Sequence, residues 1–179
     1  FRWWNDPLAT PAALAHKLVA SNASDLASKG ARPLYALISL AVPAGESVHR
    51  IAEFYRGLEI AFQEFGGRLI GGDTVRAPQW CLTLALVGDL NPGDAIAARS
   101  RAVPGQRLYL SRPTGESAAG LEILEGRLGV PSPHRETLIT AHLRPNVHVS
   151  TGSDLVEKHP DIAMIDVSDG IVKDAWEIA

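Results

Sequence analysis

The chain has 179 residues, 46% hydrophobic and 21% charged, and its 17 Lys and Arg against 20 Asp and Glu leave a formal net charge of −3. Such a composition supports one full hydrophobic core and part of another, and it excludes disordered and fibrous classes. No basic surface is announced, so neither a nucleic-acid nor a membrane partner is expected, and any bound phosphate must be held by something other than bulk charge.

Thr10-Pro11 reads as an N-cap followed by proline at the first helical position, with a helix running to about Lys29 before Gly30 stops it. Leu34 to Val42 is a nearly continuous apolar run of strand length, which predicts a strand buried on both faces. Val48 to Phe65 repeats apolar residues at helical spacing and ends at Gly66-Gly67. Arg68 to Ile70 predicts a short strand delivering Gly71-Gly72-Asp73-Thr74 into a turn. Cys81 to Gly88 predicts another buried strand, with the single Cys81 as a buried thiol in a reducing, cytoplasmic setting.

Arg99 to Gln106 is polar and ends in Pro104-Gly105, the best candidate for a linker. Beyond it, Leu108 to Leu110 predicts a strand, Glu116 to Leu124 and Glu136 to Leu143 predict helices, and Ala163 to Val167 predicts a strand entering Ser168-Asp169-Gly170, with a helix after it. Strands alternating with helices indicate α/β or α+β architecture. The opening Phe1-Arg2-Trp3-Trp4 resembles no signal peptide, and no apolar stretch approaches the ~18 residues of a membrane span. The only methionine is Met164, and the chain stops at Glu177-Ile178-Ala179 within a helix-like pattern, so it reads as an interior piece of a longer protein.

The common nucleotide cradles are missing: no Walker-type loop and no Gly-x-Gly-x-x-Gly fingerprint is present. The six histidines are scattered at spacings that do not converge on a metal. Gly115-Glu116-Ser117-Ala118-Ala119 falls one residue short of a nucleophile elbow, and Ser117 is better read as part of a helix's first turn than as a hydrolase nucleophile.

Acidic residues at the ends and turns of regular structure are more informative. Asp25 lies in Asn22-Ala23-Ser24-Asp25, where Asn22, Asp25 and Lys29 share a helix face that could equally be a solvated salt-bridged one. Asp73 follows Gly71-Gly72, which would let a ligand approach the backbone but is also ordinary hairpin chemistry. Asp166-Val167-Ser168-Asp169-Gly170 puts two carboxylates and a hydroxyl at a strand end, against a plainer reading in which Ser168 or Asp169 caps the next helix. Magnesium takes carboxylate and phosphate oxygens, so Asp side chains from separate segments could hold it against a polyphosphate. Arg99-Ser100-Arg101 could add a positive contact to phosphate or simply solvate the linker.

Taken together, four segments resemble one family. Asn22-Ala23-Ser24-Asp25-Leu26-Ala27-Ser28-Lys29-Gly30-Ala31-Arg32-Pro33, Gly71-Gly72-Asp73-Thr74, Arg99-Ser100-Arg101-Ala102-Val103-Pro104-Gly105 and Ile165-Asp166-Val167-Ser168-Asp169-Gly170 are similar to segments of thiamine-monophosphate kinase. That family belongs to the superfamily holding aminoimidazole ribonucleotide synthetase and selenophosphate synthetase.

The resemblance implies magnesium ligands at Asp25, Asp73, Asp166 and Asp169, and ATP contacts from Tyr55, Gly72, Asp73, Arg99 and Ser168. It implies γ-phosphoryl transfer from ATP onto thiamine monophosphate, directly and in line, with several magnesium ions and no covalent phosphoenzyme. It further implies an α/β domain over residues 1–105 whose sheet pairs with its twin in a homodimer, and over residues 106–179 the first part of an α+β domain. Arg101, Val75 and Ile171 depart from the family pattern. The family's further acidic ligands and a substrate-contacting histidine lie upstream of the phenylalanine that Phe1 matches, and its thiamine contacts lie beyond Ala179. Another ATP-using member of the superfamily, or a non-catalytic nucleotide-binding and dimerisation module, remains the alternative.

Overall fold

A computed structural model describes residues 3–179, so Phe1 lies outside the described residues. Helix α1 (Pro11–Ala27) begins where expected: Thr10 Oγ1 accepts the Ala13 N–H at 3.1 Å, and Pro11 has no N–H to leave unsatisfied. It ends in a glycine-terminated turn in which Ala31 N–H reaches the Leu26 carbonyl at 2.9 Å. Gly30 there has φ +79°, and a Cβ on it would come within 2.3 Å of Val156. Glycine is required at that point by both conformation and packing.

Strand β1 (Arg32–Val42) is central in a three-stranded sheet of order β2-β1-β3, parallel to β2 (Arg68–Arg76) and antiparallel to β3 (Cys81–Asp89). The parallel pair is bridged by α2 (Val48–Phe65), the crossover such a pair needs. Ala36, Ile38, Leu40 and Val42 of β1 join Ala15, Val19, Phe54, Leu58 and Phe62 in one core, so both helices cover the same sheet face. Burying each large apolar side chain there contributes ~1.5–3 kcal/mol.

The expectation that β1 is buried on both faces is corrected. Burial alternates along it, with Leu37 50% exposed beside fully buried Ala36. Apolar content marks a strand with helices on one side as readily as one covered on both, so the run alone did not distinguish them. For the same reason β3 is mostly exposed and Cys81 is an exposed thiol, contrary to the buried one expected. Strand β2 also runs further than expected. Gly71 to Arg76 are paired with Leu37 to Val42, and no turn interrupts them. A Cβ on Gly72 would lie 2.1 Å from the Ile38 carbonyl oxygen, so the neighbouring strand accounts for this glycine.

The remaining regular elements are helical. A 3-10 turn at Arg99–Arg101 replaces part of the expected linker. Helices α3 (Glu116–Leu124) and α4 (His134–Leu143) form a second small core with Ala9 and Ala13 at the start of α1, through Ile123, Ile139 and Leu143. Helix α5 (Val149–Lys158), not foreseen from the sequence, packs on the end of α1 so tightly that a Cβ on Gly152 would lie 2.2 Å from the Ala27 carbonyl oxygen. Helix α6 (Ile171–Ile178) follows the Ser168-Asp169-Gly170 turn. Neither Leu108 to Leu110 nor Ala163 to Val167 forms the expected strand. A strand exists through its ladder, and among the described residues neither segment has a neighbour to pair with.

Candidate functional site

The C-terminal turn of α1 is where separated segments converge. Ser28 Oγ donates to the Asp25 carbonyl at 2.8 Å, and Ala97 N–H reaches the Lys29 carbonyl at 3.1 Å, fastening the incoming 90–98 loop to the same turn. Helix α5 closes over it at Gly152 and Val156.

Onto this turn the chain brings Asp166. Asp25 is exposed as a residue, yet partial desolvation of its carboxyl and the facing, hydrogen-bonding Asp166 carboxyl raise its pKa above the ordinary value, with Lys29 opposing. Two carboxyls held together in this way have the donor chemistry of a divalent-cation site, since a cation relieves both repulsion and desolvation. They fit magnesium, which is commonly bound by one or two carboxylates with substrate phosphates and waters. No group of three or more His, Cys, Asp or Glu converges on one point among the described residues.

Asp169 sits three residues on, exposed and ion-paired with Lys173 one helical turn into α6, which raises the lysine's proton affinity. Its backbone N–H and that of Gly170 both donate to Asp174 Oδ2 at 3.1 Å. Gly170, the residue before the helix, has no side chain to cap it, so neither Ser168 nor Asp169 performs the capping considered from the sequence. Asp174, in the first turn of the helix and only 3% exposed, instead accepts from the two residues that precede it. In the sequence it is marked only by its four-residue spacing from Gly170.

Arg99 pairs with Glu177 of α6, while Arg101 donates to the Pro160 carbonyl, so the arginine segment and the Asp166–Gly170 segment are tied through α6 and its approach. Ser168 is exposed. Along α6, Val172 and Trp176 are each 83% exposed and bound a shallow open surface with Asp169 and Gly170.

Two candidates stand apart from this convergence. Asp73 pairs in register with Ser39 on the open side of the sheet, and its Oδ1 accepts the Thr74 N–H at 2.9 Å; no hydrogen bond or ion pair links it to Asp25 or Asp166 among the described residues. Gly72 lies beside it on β2. Tyr55 is partly buried against the main core, its ring edge-on to Phe54 at 5.9 Å.

Ser117 does lie against a histidine, but the arrangement opposes a nucleophile. His142 Nδ1 is within 3.1 Å of both the Ser117 hydroxyl and its carbonyl, and the carbonyl requires Nδ1 to carry the proton. Nε2 in turn accepts from Lys17 Nζ at 2.7 Å. The ring therefore has no free lone pair facing Ser117, and the serine occupies a helix's first turn as expected.

Residues 3–90 match the family AIR synthase related protein, N-terminal domain. The thiamine-monophosphate kinase of Escherichia coli (strain K12) is 38% identical over 171 residues, covering 94% of this chain and 50% of that protein. Among solved structures, thiamine monophosphate kinase from Aquifex aeolicus superposes with TM-score 0.86 at 30% identity, over 94% of this chain and 56% of its own. AaThiL complexed with AMPPCP and TMP superposes with TM-score 0.85 at 30% identity, over 94% and 53%. The chain spans about half the length of the curated relatives it matches. Residues 3–90 thus match the AIR synthase related N-terminal domain, and over 94% of its length the chain is similar to the thiamine-monophosphate kinases.

Proposed function

We propose that this chain forms the ATP- and magnesium-binding part of a thiamine-monophosphate kinase, one that transfers the γ-phosphoryl group of ATP onto the phosphate of thiamine monophosphate and yields thiamine diphosphate and ADP. The observation that carries the reading is the meeting of Asp25 and Asp166, 141 positions apart in the sequence, at a turn braced by α5 and the 90–98 loop. The likeness to a structure complexed with AMPPCP and TMP supports the choice of substrates.

In this reading Asp25, Asp166, Asp169 and Asp73 hold several magnesium ions. These supply charge neutralisation between two phosphorylated reactants that otherwise repel. Arg99 and Ser168 bind phosphate oxygens, with Gly72 and Tyr55 on the nucleotide. Positioning for direct in-line transfer then needs no covalent phosphoenzyme. Arg99 exchanges Glu177 for phosphate when nucleotide enters.

The open sheet face, with Leu37, Val75 and Val87 each 46–59% exposed, is the surface on which a second copy pairs to make a homodimer. Residues 1–105 constitute the α/β domain and 106–179 the first part of the next, a division supported by the sheet's ending at Asp89, while the second core, which α3 and α4 share with Ala9 and Ala13, packs across it. The enzyme works in the cytoplasm; no helix among the described residues is long and apolar enough to cross a membrane.

The test is calorimetric titration of the chain with AMPPCP, with and without magnesium, beside Asp25→Asn and Asp166→Asn. Binding that requires magnesium and drops at least about tenfold in each variant is the expected result. Metal-independent binding, or binding unchanged in both variants, sinks the assignment.

A further inference from the structure

The turn that carries Asp166, Ser168 and Asp169 is held by a group none of these residues supplies. Asp174 lies in the first turn of α6, 3% exposed, and its Oδ2 receives two backbone N–H donors from Asp169 and Gly170, each at 3.1 Å. Gly170 has φ +118°, a conformation that leaves the turn dependent on its hydrogen bonds for direction. The two N–H groups bracket the peptide at which the chain changes course, so the acceptor that fixes them also fixes where the Asp169 carboxyl and the Ser168 hydroxyl emerge. A buried carboxylate is costly to hold unless it is hydrogen-bonded, and this one is satisfied by the turn it organises.

Resting on the site reading above, we propose that Asp174 is a positioning residue for magnesium-nucleotide binding. From behind, through the Asp169 and Gly170 amides, it orients the Asp166–Gly170 turn, and it does not itself meet the metal or phosphate. Its counterpart in other metal sites is the outer-shell group whose removal costs about 10–100-fold in metal affinity while every direct ligand remains in place. An amide oxygen can receive the same two N–H groups, whereas a methyl group cannot. Asp174→Asn should therefore keep the function and Asp174→Ala lose it, an ordering that a requirement for negative charge at the site would not give.

The experiment measures manganese binding by electron paramagnetic resonance, as a stand-in for magnesium, with AMPPCP present, for the parent chain, Asp174→Ala, Asp174→Asn and Asp25→Asn. Amide hydrogen exchange at Asp169 and Gly170 is followed in the same samples. The expected result is an affinity about 10–100-fold weaker in Asp174→Ala with both amides exchanging faster, and near-parent affinity with protected amides in Asp174→Asn. Parent-like affinity in Asp174→Ala overturns the positioning role while leaving the site intact. If Asp174→Ala does not fold, Asp174→Asn decides: loss of affinity with the two amides still protected overturns the role, and retained affinity upholds it. Absence of metal-dependent binding in the parent chain, or its persistence in Asp25→Asn, overturns the site reading and this inference with it.

Discussion

Lys17 and His142, in contact at 2.7 Å, set a pH response away from the proposed site. Burial lowers the Lys17 pKa from 10.5 to about 8, and burial followed by the lysine's charge lowers that of His142 below its ordinary 6.5. For a base with a depressed folded pKa, the unfolded chain holds the extra proton between the two values, so stability rises with pH across that window. Denaturant midpoints should therefore rise between about pH 8 and 10.5 on account of Lys17, and fall on acidification below 6.5 on account of His142. Lys17→Met should abolish the alkaline rise and raise stability at pH 7 by on the order of 1 kcal/mol, the shift being discounted for partial solvent access. An unchanged alkaline limb would show that the ammonium is not desolvated. At this scale Asp25 and Asp73 were singled out by the resemblance of their segments and not by local structure, since one lies inside α1 and the other within β2. Asp174 was not legible, since its role depends on a backbone turn that only the fold creates.

Helix packing depends on backbone approach that composition does not announce. Gly152 and Gly120 sit mid-helix, where alanine normally gains ~1 kcal/mol over glycine. Here an added Cβ would lie 2.2 Å from the Ala27 carbonyl oxygen and 2.0 Å from that of Leu138. Gly152→Ala should destabilise by about 1–3 kcal/mol in urea unfolding, the reverse of its propensity effect. A gain in stability would mean that α5 does not press on the end of α1. Helix α1 was readable from its Thr10 cap, Pro11 and the terminal Gly30, and α2 from its apolar spacing and Gly66. Helix α5 was not, since Gly152, Ser153 and Val156 are the residues it buries and two of those carry no hydrophobic signal. The strands expected at Leu108 to Leu110 and Ala163 to Val167 failed for the complementary reason: apolarity was present and a pairing partner was not.

For the molecule as a whole, the sheet is the asymmetric element. One face is closed by α1 and α2, and the other presents Leu37, Val75 and Val87 to solvent. If that face pairs two copies, sedimentation should report twice the 19.1 kDa chain mass, and Leu37→Asp should reduce it to a monomer by burying an unpaired charge. A monomeric parent chain would sink the pairing. The order of strands has a separate consequence at the sheet's rim. With β1 in the middle, β2 has one side whose peptide groups find no strand partner among the described residues, and Arg68, Asp73 and Arg76 are spaced along that strand. Charged side chains on an unpaired border discourage foreign strands from adding on. The border that bears Asp73 is thus guarded against fibre-like stacking, and Asp73 turns its own carboxyl onto the neighbouring Thr74 amide.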